Sequence, residues 1–216
     1  MRRMSGYTVA QLDRIDEVTD GRCPWRPIRQ HFGILSFGVN AFTGREAGDR
    51  LINEHDESAE YDRHEELYVV VTGHARFDID NETVDAPQGT LVFVPPDLKR
   101  TAFAEEAGTT LLAVGAAAGQ AYEPGGWEVW SQFNPLYRAG DYAGVADQGR
   151  DAIEASAYPM PMYNLACCEA LAGRKEDAIG HLRTAIEGRP QLKELAREDS
   201  DLDAIRDEPA FAELVG

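Results

Sequence analysis

The hydrophobic and polar positions of this chain change period once, and the change divides the sequence in two. Over residues 34–114 the apolar positions come in short runs, Ile34–Val39, Leu67–Val71, Leu91–Val94 and Thr110–Val114, bounded by Gly, Pro, Asn and Asp. Short runs of this kind between turn formers are the mark of β-strands. Arg50–Glu57, opened by Gly48, reads as a further strand, and Asp78–Val84 as strand, turn, strand. Many short strands with polar turns predict a barrel or sandwich rather than a parallel sheet. Ahead of this region, Val9, Leu12, Ile15 and Val18 fall on one helical face, so Thr8–Val18 is expected to be a short amphipathic helix. Cys23-Pro24-Trp25-Arg26-Pro27 is expected to be extended, because proline pushes the residue before it out of the helical region.

Beyond Trp127 the pattern turns helical and rich in Ala. Gly115–Gln120 and Pro124-Gly125-Gly126 flank the change, which puts a domain boundary near 119–127. The expected organisation is an N-terminal helix and extended arm (1–30), a β-barrel (31–120) and a helical domain (127–216). Within the last, Gly140-Asp141-Tyr142 and Gly173-Arg174-Lys175 mark turns 33 residues apart. Ala166, Ala178 and Ala185 let two antiparallel helices approach closely, and Leu165, Ile179, Leu182 and Ile186 form the apolar stripe. Met162–Ala166 followed by Gly173, Ala178, Leu182, Ala185, Ile186 and Pro190 resembles a tetratricopeptide repeat, with a weaker copy over Trp130–Ala157. That resemblance implies α-helical hairpins that contact a protein partner. Arrays of this type need about three units for a continuous core, so the helices are expected to lean on the barrel or on a second subunit. A final helix over roughly Asp201–Leu214, interrupted by Pro209, is expected to cap them.

Composition narrows the partners. Of 216 residues, 43% are hydrophobic and 27% charged, which suits one large or two small folded domains. A formal charge of -17 excludes nucleic acid and anionic membranes as natural partners. No apolar run approaches the ~20 residues of a membrane span, and the N-terminal Met1–Gly6 has basic residues without an apolar stretch behind them. Cys23, Cys167 and Cys168 show neither disulfide nor zinc spacing, so the chain is expected to be cytoplasmic and reduced, with Cys167 and Cys168 as packing thiols.

The candidate chemistry lies in two strand motifs. Glu65-Glu66-Leu67-Tyr68-Val69-Val70-Val71-Thr72-Gly73 opens on carboxylates and ends in Gly, and Gly89-Thr90-Leu91-Val92-Phe93-Val94-Pro95-Pro96 opens on Gly and ends in Pro. The pair resembles the two signature motifs of the cupin family. This implies an antiparallel, jelly-roll-like β-barrel with a ligand or metal pocket inside. Cupins that bind metal typically present two His one residue apart, then a Glu, then a third His after the second motif's Pro. Here His55 and Glu57 stand at the first two positions, and Glu66 at the third, with six residues between it and Gly73. Arg100 replaces the last His, and Asp97 replaces the usual Gly after Pro95. A second register puts Glu60 and Asp62 in place of His55 and Glu57, but it carries a strand through Asp56–Ser58, which reads as a turn.

Alternation sharpens the set, since residues two apart on a strand share a face. His64, Glu66, Tyr68 and Val70 go together, as do His55 and Glu57. The expected ligand pocket is His55, Glu57, His64, Glu66, Tyr68 and Arg100. His55, His64 and Glu66 would be an adequate set for a divalent transition metal. Arg100 opposes one, because a permanent cation repels the ion and pairs with the carboxylates instead. No cofactor is therefore preferred, and the ligand is expected to be small and polar or anionic.

Two readings of function stand together: a non-catalytic ligand-binding barrel coupled to a protein-interaction module, and a cupin-type isomerase, dioxygenase or decarboxylase with an atypical or absent metal site. In the second, Arg100 grips a carboxylate or phosphate while His64 or His55 exchanges a proton. Cupin barrels pair through edge strands, which implies a homodimer. His31 and His74 are expected to be exposed or capping, His181 to lie on the surface, and Trp25, Trp127 and Trp130 to flank the domain junction.

Overall fold

The computed structural model describes residues 2–4, 7–19, 23–58, 63–120 and 122–216. The chain divides into two compact units, Met1–Glu123 and Pro124–Gly216. In the first, β1 (Arg2–Met4) pairs with β2 (Tyr7–Val9), and β3 (Trp25–Arg26) and α1 (Ile28–Phe32) lead into eight strands. These are β4 (Gly38–Thr43), β5 (Arg50–His55), β6 (His64–Thr72), β7 (His74–Ile79), β8 (Glu82–Pro87), β9 (Leu91–Val94), β10 (Arg100–Ala104) and β11 (Thr110–Ala117). They build two antiparallel sheets, ordered β3-β4-β11-β6-β9 and β5-β10-β7-β8. Apart from the β7–β8 hairpin, successive strands of the eight alternate between the sheets, which is jelly-roll connectivity. The crossing from β6 to β7 takes a single residue. Gly73 makes it at φ +76, where a Cβ would lie 2.6 Å from Thr109 Oγ1.

The expected closed barrel is not formed: each sheet keeps two free edges, β3 and β9 in one, β5 and β8 in the other. Pro87 ends β8 and Pro95-Pro96 follows β9, so these positions have no N–H to donate, although the Pro96 carbonyl accepts from Glu57 N–H just past β5 at 2.8 Å. Side chains fill the space between the sheets instead. Val70, Val94 and Leu111 from one face and Phe77, Ala75, Ala86, Ala102 and Ala104 from the other are buried together.

Three local expectations are corrected. Thr8–Val18 is not a helix but β2, one 3-10 turn at Leu12–Arg14 and a bridge from Val18 to Trp25. The segment is too short to hold a helix alone, and its β-branched residues pair more readily as strands. The strand expected from Ile34 starts only at Gly38, because α1 and its left-handed cap, Gly33 at φ 69, precede it. β10 was concealed behind two prolines and the charged pair Lys99-Arg100.

The second unit contains α2 (Gly126–Ser131), α3 (Asn134–Arg138), α4 (Tyr142–Ser156), α5 (Pro159–Leu171), α6 (Lys175–Gly188), α7 (Leu192–Glu198), a 3-10 turn (Ser200–Ile205) and α8 (Pro209–Val215). Gly140 and Gly173 hold φ of 74 and 78 at the turns before α4 and α6. Val145, Ile153, Leu165, Ala166, Ala178, Leu182 and Ala185 lie in a core made within this unit. The expected last helix is split, since Pro209 cannot continue a helix and instead starts α8. Among the described residues no helix is long and apolar enough to cross a membrane.

Candidate functional site

β6 presents His64, Glu66 and Tyr68 at alternate positions. The Tyr68 ring lies 5.4 Å from that of Phe77 on the facing sheet, which marks this face as the inner one. His55 closes β5 and Arg100 opens β10, directly opposite one another in register. Glu57 lies just past β5, held by its backbone N–H, which donates to the Pro96 carbonyl at 2.8 Å. The six residues singled out by motif and parity thus converge between the sheets. The alternative pair, Glu60 and Asp62, lies outside the described residues.

Glu66 is the hub, and it works through one oxygen. Its Oε2 accepts from the Tyr68 hydroxyl and from Arg100 Nε at 2.9 Å, and lies 3.4 Å from His55 Nε2. Arg100 Nη2 is also 2.9 Å from that oxygen, but it points off the line of a hydrogen bond and makes none. Nη1 donates to the carbonyls of Leu98 at 2.9 Å and Pro96 at 3.4 Å. The Arg100 side chain has no exposure at all, so its charge is balanced within the protein.

These contacts set the protonation states. Burial alone would raise the Glu66 carboxyl, but the His55 hydrogen bond and the Arg100 charge outweigh it and hold the group below its ordinary value. Burial, then the neighbouring Glu66 charge, push the Tyr68 phenol well above its usual value, so it remains a donor. For His55, burial favours the neutral ring, and the contact with Glu66 overrides it and raises the value. His55 Nδ1 lies 2.8 Å from the Asn53 carbonyl, which places a proton there and turns Nε2 toward Glu66 and Glu57, the latter at 3.6 Å. His64 Nδ1 is 3.9 Å from Glu57, and its ring stacks on Tyr122 at 5.3 Å.

His55, Glu57 and Glu66 each bring a donor atom within 4.8 Å of the others, whereas His64 stands outside this set. The donor chemistry fits a divalent ion poorly. The Glu66 oxygen nearest His55 already takes hydrogen bonds from Tyr68 and Arg100, and an ion there would lie against a buried guanidinium. No step is therefore assigned to a metal.

Other sequence candidates sort by their contacts. His74 Nε2 pairs with Asp85 at 2.6 Å at the surface. His181 is not a free surface group: its ring is clasped between Glu169 and Glu154. Cys167 and Cys168 are buried, and burial raises both thiols, Cys168 to about 12, so they act as packing groups. Sequence reasoning passed over Asn40 and Tyr122. Asn40 carried a signal, as a lone amide in the apolar run Val39–Phe42. The expected strand ended one residue short of it.

No family model matches the sequence, and no curated protein matches it. Solved structures are similar to about half of the chain. A cupin protein from Bacteroides fragilis is 19% identical over 56% of this chain and 93% of its own, with a TM-score of 0.43. An RmlC-like cupin from Shewanella frigidimarina is 14% identical over 55% and 97%, with a TM-score of 0.39. A structure described as a sugar phosphate isomerase from a cupin superfamily, from Silicibacter pomeroyi, is 21% identical over 51% and 76%, with a TM-score of 0.42.

Proposed function

We propose that the jelly-roll unit is a non-catalytic binding module for a small polar ligand, and that the helical unit carries a protein partner on tetratricopeptide-like hairpins. The observation that carries the first half is the internal pairing of Arg100 with Glu66. That cation stands where cupins that bind metal place a third His, and it is consumed within the protein. Metal chemistry and an open grip on an anion are both disfavoured, while His55, Glu57 and His64 keep partial exposure around the pair. For the second half, the support is the pair of left-handed glycines 33 residues apart and the packing of α4, α5 and α6 in one core. Homodimer formation is supported by β9, which ends its sheet and turns Leu91 and Phe93 outward at 64% and 59% exposure.

Native mass spectrometry of the full chain purified from cells tests the ligand reading. The expected result is a retained small molecule that disappears in Glu66→Gln. A stoichiometric transition metal that disappears in His55→Ala would overturn it. The enzyme alternative, an isomerase, dioxygenase or decarboxylase, draws support from one feature, the His55 ring held between Glu66 and Glu57 as a proton carrier. Chemical conversion of the retained molecule, lost in His55→Gln, would favour it. Pull-down with the full chain, with surface variants of α4 and α6 as controls, tests the partner. Light scattering tests the dimer, for which Phe93→Glu should yield monomer.

A further inference from the structure

Asn40 lies in β4 opposite Ala113 of β11, and Ala113 lies opposite Tyr68 of β6. Residues directly opposite in an antiparallel sheet share a face, so Asn40 points between the sheets with Tyr68. The neighbouring row on the same face is Gly38, Gly115 and Glu66. On β11 only Ala113 and Gly115 separate Asn40 from Glu66, and the large side chain in the adjoining row is Tyr122, whose hydroxyl lies over Gly38. Asn40 is 6% exposed, and its Oδ1 is sealed from water with no hydrogen-bond partner among the described residues. Buried amide oxygens are rarely left so, because the lost hydration is not recovered. Glu66 directs every contact through Oε2, which leaves Oε1 without a partner among the described residues.

Two of the open positions, Asn40 Oδ1 and Glu66 Oε1, are acceptors, and the third, Arg100 Nη2, is a donor, so whatever fills them must be able to donate and to accept. The charges decide which kind. An anion would face Glu57 and Glu66. A cation would meet the Arg100 guanidinium, 2.9 Å from Glu66. With His55 protonated, Arg100 and His55 offset the two carboxylates, and the constellation selects for neither sign. A hydroxyl is neutral and both donates and accepts through one atom, so it can meet the two acceptors and Arg100 Nη2 alike.

We propose that Asn40 is a ligand-binding residue of this site, and that the ligand is a neutral, polyhydroxylated small molecule whose hydroxyls donate to Asn40 Oδ1 and Glu66 Oε1. The proposal rests on the reading of the jelly-roll interior as a ligand site. An acceptor left unmet in the free protein and met in the complex lowers the stability of the one and raises the affinity of the other.

Thermal unfolding of the full chain with four probes at millimolar concentration tests this: D-glucose and myo-inositol as neutral polyols, malonate as anion, ethanolamine as cation. The wild type should be stabilised saturably by a polyol and by neither ion. Asn40→Leu should melt at or above the free wild type and lose the polyol shift, with affinity down by about tenfold or more, the worth of one good hydrogen bond. Asn40→Asp, which keeps an acceptor oxygen, should retain part of the shift. A polyol shift that survives Asn40→Leu unchanged overturns the role of Asn40. So does an Asn40→Leu protein that melts several degrees lower and still binds. Saturable stabilisation by malonate or ethanolamine alone overturns the hydroxyl assignment and leaves the ligand site standing. If none of the four probes shifts the wild type, both readings fall.

Discussion

Each unit of this protein buries a carboxylate between an arginine and a histidine, and the two arrangements differ in how completely they are satisfied. In the helical unit, Glu169 of α5 has no exposure. One oxygen accepts from Arg150 of α4 at 2.7 Å and the other meets His181 Nδ1 of α6 at 2.6 Å. Arg150 reaches on to Asp177 at 2.8 Å, and His181 Nε2 to Glu154 at 2.9 Å. Both carboxylate oxygens and both ring nitrogens are used, and three helices are tied together. In the jelly roll, three groups crowd one oxygen of Glu66 while the other has no partner among the described residues, and Arg100 Nη2 and Asn40 Oδ1 go unmatched there too. Residue types alone would not separate the two clusters. A saturated network accounts for itself as structure, whereas an unsaturated one still has capacity for something else.

The comparison breaks most visibly at Arg100. Arg100→Ala strands Glu66 in the interior, and removing one partner of a buried pair typically destabilises by about 3–5 kcal/mol. Hydrogen exchange should show protection lost first in β6 and β10. A change below about 1 kcal/mol, the scale of an exposed pair, would mean that the guanidinium is not the partner of Glu66 and is available to ligand. Glu169→Ala comes next, at about 2–3 kcal/mol, the range for hydrogen bonds to charged groups. It should be milder because Arg150 and His181 keep Asp177 and Glu154 as partners. Its loosening should be confined to α4, α5 and α6. Altered ligand binding in this variant would show that the helical clasp is more than structural.

How far the sequence reveals each cluster follows from the range of its contacts. Strand alternation and the two motifs, Glu65–Gly73 and Gly89–Pro96, are enough to collect His55, Glu57, His64, Glu66, Tyr68 and Arg100, because parity is a local property. Charge predicts that Arg100 pairs with one of the two carboxylates, Glu57 or Glu66, without choosing between them, and the fold makes it Glu66. Asn40 is not anticipated, because an amide becomes informative only when its neighbours fail to bond it, and β11 and β6 bring those neighbours from some 70 and 30 residues away. His181 was read as a surface group, since a helical pattern does not show which helix will cover it. The same holds for the sheet edges: turn residues predict strands, but whether the sheets close depends on which strands meet in the fold.

Acidity separates the clusters by a smaller margin. His181 is raised above 6.5 by its hydrogen bond to Glu169, burial opposing. A histidine whose folded value is raised contributes stability that is complete below 6.5 and lost as pH rises through the folded value. The helical unit should therefore melt lower as pH climbs from about 6.5, and His181→Gln should flatten the dependence. His55 is raised too, with burial opposing and the Glu66 contact prevailing, so it has the same sign. Glu66 is lowered below 4.5, burial opposing and His55 and Arg100 prevailing, so its contribution is present above 4.5 and lost as pH falls through the folded value. The jelly roll is thus weakened on both sides, and in the helical clasp the alkaline loss at His181 is joined by an acid-side loss at Asp177, lowered by its hydrogen bond to Arg150 and small because the group is exposed. Melting temperatures that do not vary with pH in the wild type would contradict this.

The smallest expected effect concerns metal, and it bears on both units, since each gathers a triad of donors within 4.8 Å: His55, Glu57 and Glu66 in one, Cys167, Asp199 and Asp201 in the other. Neither triad is poised to bind. Cys167 is held as a thiol by burial and by Asp199, while metals take the thiolate, and Asp199 already accepts from the Tyr163 hydroxyl at 2.8 Å. Glu66 Oε2 is held by Tyr68 and Arg100. Dialysis against a chelator should leave the melting profile of the wild type unchanged. Arg100→His removes the guanidinium, leaves the Glu66 oxygen to Tyr68 and His55, and adds an imidazole beside His55. Two imidazoles and two carboxylates are a sound set for a divalent transition metal. This variant, and not Cys167→Ser, should gain chelator-sensitive stability when manganese or nickel is supplied. Metal-dependent stability already present in the wild type would mean that the guanidinium does not guard the site, and the contrast between a filled network and an open one would then have to be drawn around an ion.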